Sequence, residues 1–246
     1  MQWTDDGLVL GLRRQGETSV VLELMTAAHG RHLGLVHGGR SRRMQPVLQP
    51  GNRVQATWRA RLDDSLGAYA VEPLESVAAR LMGSGLALHG IAHLAGLLRL
   101  LPERDPHPQL YAAARILIDH LHDPDIAPAL MVRFELAILA DLGFGLDLSA
   151  CAATGGNDAL IYVSPRSGRA VSASAGEPYR DRLLALPDFL RERAPGDPLP
   201  MTPEGADVTA GFTLTGYFLD QHIWGPRALP PPDARARFVA LGTGSA

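Results

Sequence analysis

Over the first 75 positions apolar residues recur at every second place, and clusters of Gly, Pro and Asp interrupt them at short intervals. That is the pattern of short strands joined by turns. Leu8–Arg14 and Ser19–Met25 are two such runs, separated by Gln15-Gly16-Glu17, which reads as a hairpin turn. Arg31–His37 follows after Ala27-Ala28-His29-Gly30. In Arg53–Leu62 the alternation is clearest: Val54, Ala56, Trp58, Ala60 and Leu62 share one face, and Arg53, Gln55, Thr57, Arg59 and Arg61 the other. A fifth strand, Gly67–Glu72, comes after the Asp63-Asp64 turn. Five short strands with a longer connection, Gly38–Gly51, between the third and fourth match the count of an OB-fold, a small Greek-key barrel that often binds oligonucleotides. An SH3-like barrel has the same count, and count alone does not set topology.

Beyond Pro73 the spacing becomes helical. Ser76–Leu101 is long and apolar, with Gly83, Gly85, Gly90 and Gly96 predicting a break. Leu110, Ala114, Leu117, Ile118 and Leu121 form one helix face. Met131, Phe134, Ile138 and Leu142 form another, with Pro128 near its start and Gly143 at its stop. Residues 146–178 lose all periodicity and read as a loop or a degenerate small module. Helical spacing returns at Pro187–Arg193, Pro203–Trp224 and Asp233–Leu241, the last two separated by Leu229-Pro230-Pro231-Pro232. The expected fold class is α+β and multidomain: a five-stranded OB-fold β-barrel over 1–75 for nucleic-acid binding, then an α-helical domain over 76–246 with an irregular insert at 146–178.

The formal net charge of the 246 residues is -3, which argues against a protein basic all over. Its distribution changes the picture. Residues 1–80 carry 10 Arg against 8 Asp and Glu, the rest 13 against 18, and every basic residue is arginine. Between Glu23 and Asp63 there is no acidic residue, while Leu24–Leu62 holds Arg31, Arg40, Arg42, Arg43, Arg53, Arg59 and Arg61. A one-signed field concentrates polyanions, and each neutralised phosphate releases counterions. The connection Gly38-Gly39-Arg40-Ser41-Arg42-Arg43 reads as mobile backbone with clustered guanidiniums that could follow a sugar–phosphate chain. A charge run is ordinarily a solvated face. Arginines fixed in a row on a barrel strand argue for more, because they are already positioned. Of the aromatics here, Trp3, Trp58 and Tyr69, the second is expected to point inward, which leaves stacking a minor contribution.

Catalytic chemistry finds little support. GxxxxGK[ST], GxSxG and HExxH are absent. His89 and His93 stand at i, i+4, but their flanks are apolar and read as helix packing rather than metal ligation. His120 and His122 fall near a helix end. Glu204 and the acids of the last helices are scattered, as on solvated faces. The lone Cys151 excludes an internal disulfide framework, fits a reducing compartment and has no base placed beside it. Met1-Gln2-Trp3-Thr4-Asp5-Asp6 carries acid where a signal peptide carries base. Leu86–Leu101 is shorter than the roughly 20 apolar residues that span a bilayer. The expectation is a non-enzymatic, cytoplasmic protein without a membrane partner.

Trp3, Gly7-Leu8-Val9-Leu10, Gly16-Glu17-Thr18-Ser19-Val20-Val21, Leu24-Met25-Thr26, His29-Gly30-Arg31 and the run from Gly38-Gly39-Arg40-Ser41-Arg42-Arg43 to Leu48-Gln49-Pro50-Gly51 resemble, in order and spacing, the RecO family of bacterial recombination mediators. The match continues through Phe134-Glu135-Leu136, Leu142-Gly143-Phe144-Gly145-Leu146 and the segment from Leu229-Pro230 to Arg235, so it covers nearly the whole chain. The resemblance implies an OB-fold, a central helical domain and, in many members, a four-cysteine zinc module. Here Cys151 stands at the first cysteine position, Thr154 at the next, and Ala170–Ala175 supplies none of the later pair. One thiolate cannot close a tetrahedral zinc site, so residues 149–178 are expected to keep the insert's shape without metal, and no cofactor is expected.

The resemblance further implies binding of single- and double-stranded DNA, annealing of complementary strands, action with RecR in loading RecA, association with the nucleoid, and docking of the acidic C-terminal tail of single-strand-binding protein. The expected DNA contacts are Arg40, Arg42, Arg43, Arg53, Arg59 and Arg61, then Arg13, Arg14 and Arg31. Arg133, beside apolar Met131 and Phe134, is the expected partner of the acidic tail. Two rival readings are an OB-fold that binds RNA or serves as a protein adaptor, and a metal-dependent hydrolase built on His89 and His93.

Overall fold

The alternation at the start of the chain resolves, in the computed structural model, into β1 (Gln2–Gln15), β2 (Ser19–Thr26), β3 (Gly30–Val36), β4 (Arg53–Arg59) and β5 (Ala68–Glu75). The structure describes residues 1–62, 64–191, 203, 205–228 and 230–244; Asp63, Arg193, Glu204 and Leu229, named above, lie outside the described residues. β1 pairs antiparallel with β4 along its first half and with β2 along its second, and a bulge between Val9 and Gly11 bends it from one partner to the other. The strands close in the order β1-β2-β3-β5-β4, with β3 meeting β5 in parallel at Leu35 and Ala68. That step from β3 to β5 makes the barrel a Greek key, the OB-fold, and decides against the SH3-like alternative. Closure leaves no open sheet edge. Val9, Val20, Leu22, Leu24, Val36, Val54, Ala56, Trp58 and Tyr69 fill the interior.

Two boundaries differ from the sequence reading. β1 begins at Gln2, six residues before the apolar run, because Gln2–Asp6, none of it fully buried, is held by pairing with β4. β4 ends at Arg59, so Arg61 lies off the strand and Leu62, expected inside, is 62% exposed. The turn from β2 to β3 is set by Gly30, at φ +61, where a Cβ would sit 1.9 Å from the Asp105 carbonyl oxygen.

α1 (Ala78–Met82) and α2 (Gly85–Leu98) are divided at Gly83, where the glycines predicted a break, and α3 (Pro108–His120) starts on its proline. These belong to a first compact unit, Met1–His122. The second unit, Asp123–Ala246, contains α4 (Ala127–Asp141), α5 (Ala173–Gly176), α6 (Gly205–Leu219) and α7 (Asp233–Gly242). α6 widens into a π turn over Asp220–Trp224. The aperiodic insert supplies β6 (Leu160–Val163) and β7 (Ala170–Ser172) to a three-stranded sheet in the order β7-β6-β8, which β8 (Leu184–Ala185), just beyond the insert, completes. Strands this short bury too few positions to show alternation. The helix expected from Pro187 is, in the described residues, only a 3-10 turn over Asp188–Leu190, with Phe189 buried. Among the described residues no helix is long and apolar enough to cross a membrane.

Candidate nucleic-acid interface

The connection Gly38–Gly51 is pinned, not mobile as its composition suggested. Gly38 takes φ +66, the Arg40 N–H donates to Thr18 O (3.0 Å), and a helical turn follows in which Gln45 and Leu48 N–H groups donate to Ser41 and Met44 carbonyls (3.0 Å each). Leu48 is wholly buried. Asn52 fastens the far end. Its side-chain amide donates to Pro46 O (2.8 Å) and Val47 O (3.1 Å), and its Oδ1 accepts from the backbone N–H of Val77 (2.9 Å) and Ala78 (3.0 Å). A buried amide satisfied on both sides fixes its neighbours' positions. Asn52 was not singled out from the sequence; the cue available was an Asn directly after Pro50-Gly51.

The pinned connection lies against the β1–β2 hairpin. The Arg40 guanidinium donates to Gly16 O (3.3 Å) and to Glu17 O. Arg13 and Arg14 are exposed near the end of β1, just before Gln15 and the same turn. Between hairpin and connection runs a groove of about 620 Å³, lined by Arg14, Thr18, Gly38, Gly39, Arg40 and Ser41 among others, with Glu17 its only carboxylate. Arg42 and Arg43 are exposed on the same turn and, among the described residues, make no ion pair. Five expected contacts, Arg13, Arg14, Arg40, Arg42 and Arg43, therefore lie at the hairpin end of the barrel, and two of them, Arg14 and Arg40, line the groove itself.

The β4 row alternates as predicted but is not uniformly basic. Arg53 is paired with Asp6 of β1 (3.2 Å) and Glu75 of β5 (3.1 Å). Arg31 is paired with Glu23 of β2 (3.0 Å) and Glu103 (3.5 Å), and Glu23 also holds Arg99 (2.8 Å). The segment free of acid in sequence is not free of it in space, because strand pairing brings carboxylates from outside Leu24–Leu62 beside its arginines. Arg59 donates to the Gln2 amide oxygen (3.0 Å), and exposed Arg61 follows it, at the end of the barrel away from the hairpin.

That end is closed by aromatic rings. Trp58 points inward, as expected, and is 2% exposed; Tyr69 is buried too, its hydroxyl 2.9 Å from His32 Nδ1. Burial foremost, then the Arg104 guanidinium, hold the His32 ring down at about 4 against an ordinary 6.5. Between these values the unfolded chain takes up a proton that the folded chain refuses, so this stability is complete above pH 6.5 and is lost as the pH falls toward 4. The loss should be on the order of 3 kcal/mol. Urea midpoints between pH 7 and 4 should fall less steeply for His32→Gln; a slope equal to that of the parent would refute the assignment.

Two family models match the chain in series: the recombination protein O N-terminal model over residues 1–77 and the recombination protein O C-terminal model over 84–229. The chain belongs to the RecO family of DNA repair proteins. Curated relatives span it end to end. It is 76% identical over 246 residues to the DNA repair protein RecO of Methylobacterium nodulans, with 100% of both chains covered. It is 77% identical over 245 residues to that of Methylorubrum extorquens strain PA1, with 99% of each covered. To that of Sinorhizobium medicae it is 56% identical over 241 residues, covering 97% of this chain and 94% of the relative. The whole OB-fold barrel and its arginine-bearing connection fall inside the RecO N-terminal match.

In the region of the RecO C-terminal match, Cys151 is buried and receives the Ser172 N–H (3.3 Å), with Ser172 Oγ 3.5 Å away. Burial pushes the thiol up, but hydrogen bonds from Ser172 and Thr154 outweigh it and bring it down to about 6. Hydroxyls, not further thiols, thus surround Cys151. Among the described residues no three His, Cys, Asp or Glu side chains could hold a metal ion together. His93 is buried in α2 and His89 partly so. The Arg133 setting needs correction. Met131 and Phe134 are core residues of the second unit, 0% and 2% exposed, because they lie on the inward face of α4. Exposed Arg133 donates to Phe189 O and lies 6.0 Å from the Phe189 ring. A docking peptide would meet the guanidinium but not the two apolar neighbours.

Proposed function

We propose that this RecO-family chain is a DNA repair and recombination mediator that binds single- and double-stranded DNA through its barrel and anneals complementary strands. The observation that carries this is the groove lined by Arg14 and Arg40 beside backbone fixed by Asn52, with exposed Arg13, Arg42 and Arg43 at the same end of the barrel and none of the five in an ion pair among the described residues. Guanidiniums at fixed positions track phosphates and screen the repulsion between two strands, which lowers the cost of bringing complements together. Arg59 and Arg61 extend the contact, while Arg31 and Arg53, already paired with carboxylates, contribute less. Residues 1–75 act as the nucleic-acid-binding domain and 76–246 as the helical domain. In the cytoplasm, at the nucleoid, the chain acts with RecR to load RecA onto DNA coated with single-strand-binding protein, whose acidic tail meets Arg133.

The test is fluorescence anisotropy of a labelled single strand at two salt concentrations, followed by addition of the complement. Binding should weaken steeply with salt, and annealing should be faster than without protein. Absence of binding at low salt would overturn the reading in favour of an adaptor, and tighter binding of matched RNA would favour an RNA-binding module.

A further inference from the structure

At the end of the barrel opposite the hairpin, the rings of His29, Trp3 and Trp58 form a ladder. Trp3 stacks on His29 at 4.0 Å between centroids, 9° from parallel, and on Trp58 at 5.9 Å and 20°. His32 meets both tryptophans edge-on at 5.1 Å. The inner end of the ladder is shut: a Cβ on Gly67 would lie 2.3 Å from Trp58 Nε1, and that nitrogen donates to Leu66 O (3.0 Å). The outer end is open. His29 keeps a side-chain exposure of 32% although Trp3 covers one ring face. The rings border a cleft of about 500 Å³, whose other walls are Met1, Gln2, Ala28 and Arg104. No carboxylate lines the cleft itself; the nearest, Asp5, accepts from the Ala28 N–H (3.1 Å) and lies 3.3 Å from His29 Nδ1, which holds the edge of the His29 ring and leaves its face for stacking.

Arg104 is held in an unusual way. Its φ is +65, uncommon for a residue with a side chain, and it is kept there by its N–H to Arg31 O and its guanidinium to Ser65 O, 2.8 Å each. The result is a guanidinium 5.9 Å from the Trp58 ring centroid, beside the cleft. Arg59 bonds Gln2, which forms part of the cleft wall.

We propose that this cleft receives an unpaired nucleobase, which adds the next rung to the ladder on His29, with its phosphate toward Arg104 and Arg59. Every base has a π face, so such a site is indifferent to sequence but requires a base that is not stacked in a duplex. The ladder and the hairpin groove then divide the work: the groove reads phosphates of any strand, and the ladder distinguishes single-stranded from paired DNA. This rests on the reading of the chain as a DNA-binding protein.

The test uses the full chain with labelled oligothymidine, an abasic strand of equal length and a duplex, each titrated by anisotropy. The parent should bind oligothymidine more tightly than the abasic strand. Trp3→Ala and His29→Ala should each weaken oligothymidine binding about tenfold while leaving the abasic strand and the duplex unchanged, and Trp3→Phe should restore most of the loss. His29→Ala keeps the test decisive should Trp3→Ala fail to fold. Equal affinity of the parent for the two single strands, or equal losses on both in the variants, would overturn the ladder proposal and leave the DNA-binding reading standing. Failure of the parent to bind any of the three would overturn both.

Discussion

Changing Arg40, Arg42 and Arg43 together to Ala is expected to weaken binding to DNA of every sequence by about 100-fold at 0.1 M monovalent salt, on the counterion-release scale. The dependence of log K on log salt should become shallower by about 2 to 3, since each lost phosphate contact removes about 0.7 to 0.9. The turn that carries the three side chains is held by Leu48 and Asn52, and although Arg40 also bonds the hairpin carbonyls of Gly16 and Glu17, none of the three is part of the core, so the barrel loses no core packing when they are truncated. Arg53→Ala is the informative contrast. Its guanidinium is engaged by Asp6 and Glu75, and its loss should change affinity far less than the triple change. Anisotropy titrations over a salt series check both, and an unaltered slope in the triple variant would remove the connection from the interface.

Arg235→Ala should produce the largest loss of stability in the second unit, about 3 to 5 kcal/mol. Glu135 is wholly buried in α4. Arg235 of α7 covers it with two hydrogen bonds, Nε to Oε1 at 2.7 Å and Nη2 to Oε2 at 3.1 Å, and the Thr215 hydroxyl of α6 donates to it as well. The same guanidinium donates to Phe212 O (2.9 Å) and lies 5.6 Å from the Phe212 ring. Removing it takes two hydrogen bonds and the balancing positive charge from a buried carboxylate, and the cost is chiefly that of the abandoned charge. Melting temperature should fall by roughly 10 °C or more for a unit of this size. Glu135→Leu added to Arg235→Ala should recover part of the loss, because it removes the uncompensated charge; no recovery would mean that the packing of Arg235, not the ion pair, matters there.

Asn52 and the ion pair mark where reading along the chain stops being sufficient. Phe134-Glu135-Leu136 and the segment reaching Arg235 stood out as separate matches to the RecO pattern, and nothing in either shows that they meet, since the partners are 100 positions apart. Strand positions were legible because one-sided burial imposes a period of two, and the alternation of β4 holds residue by residue from Arg53 to Arg59. Its overrun to Leu62 follows from the same rule, which has no means of sensing where a partner strand ends. The stop at Gly143, at φ +88, was legible for a local reason, backbone freedom that other residues lack, while the break at Gly83, whose φ of -76 is ordinary, follows from glycine's low helix propensity. The small sheet of the insert was not, because its strands are too short for a period to register.

Local chemistry along the chain therefore settles the kind of each long element, the inward face of β4 and the excess of arginine over Leu24–Leu62. Which of those arginines stay unpaired depends on who their neighbours are across the sheet. Asp6, Glu23 and Glu75 come from outside the segment and are set beside Arg53 and Arg31 by the barrel's register alone. The same closure gathers Arg13, Arg14 and the Arg40 turn at one end and builds the His29–Trp3–Trp58 ladder at the other. Interaction energy falls off over a few ångströms of space, not of sequence, so the sign of a local field belongs to the folded barrel and only its ingredients to the chain.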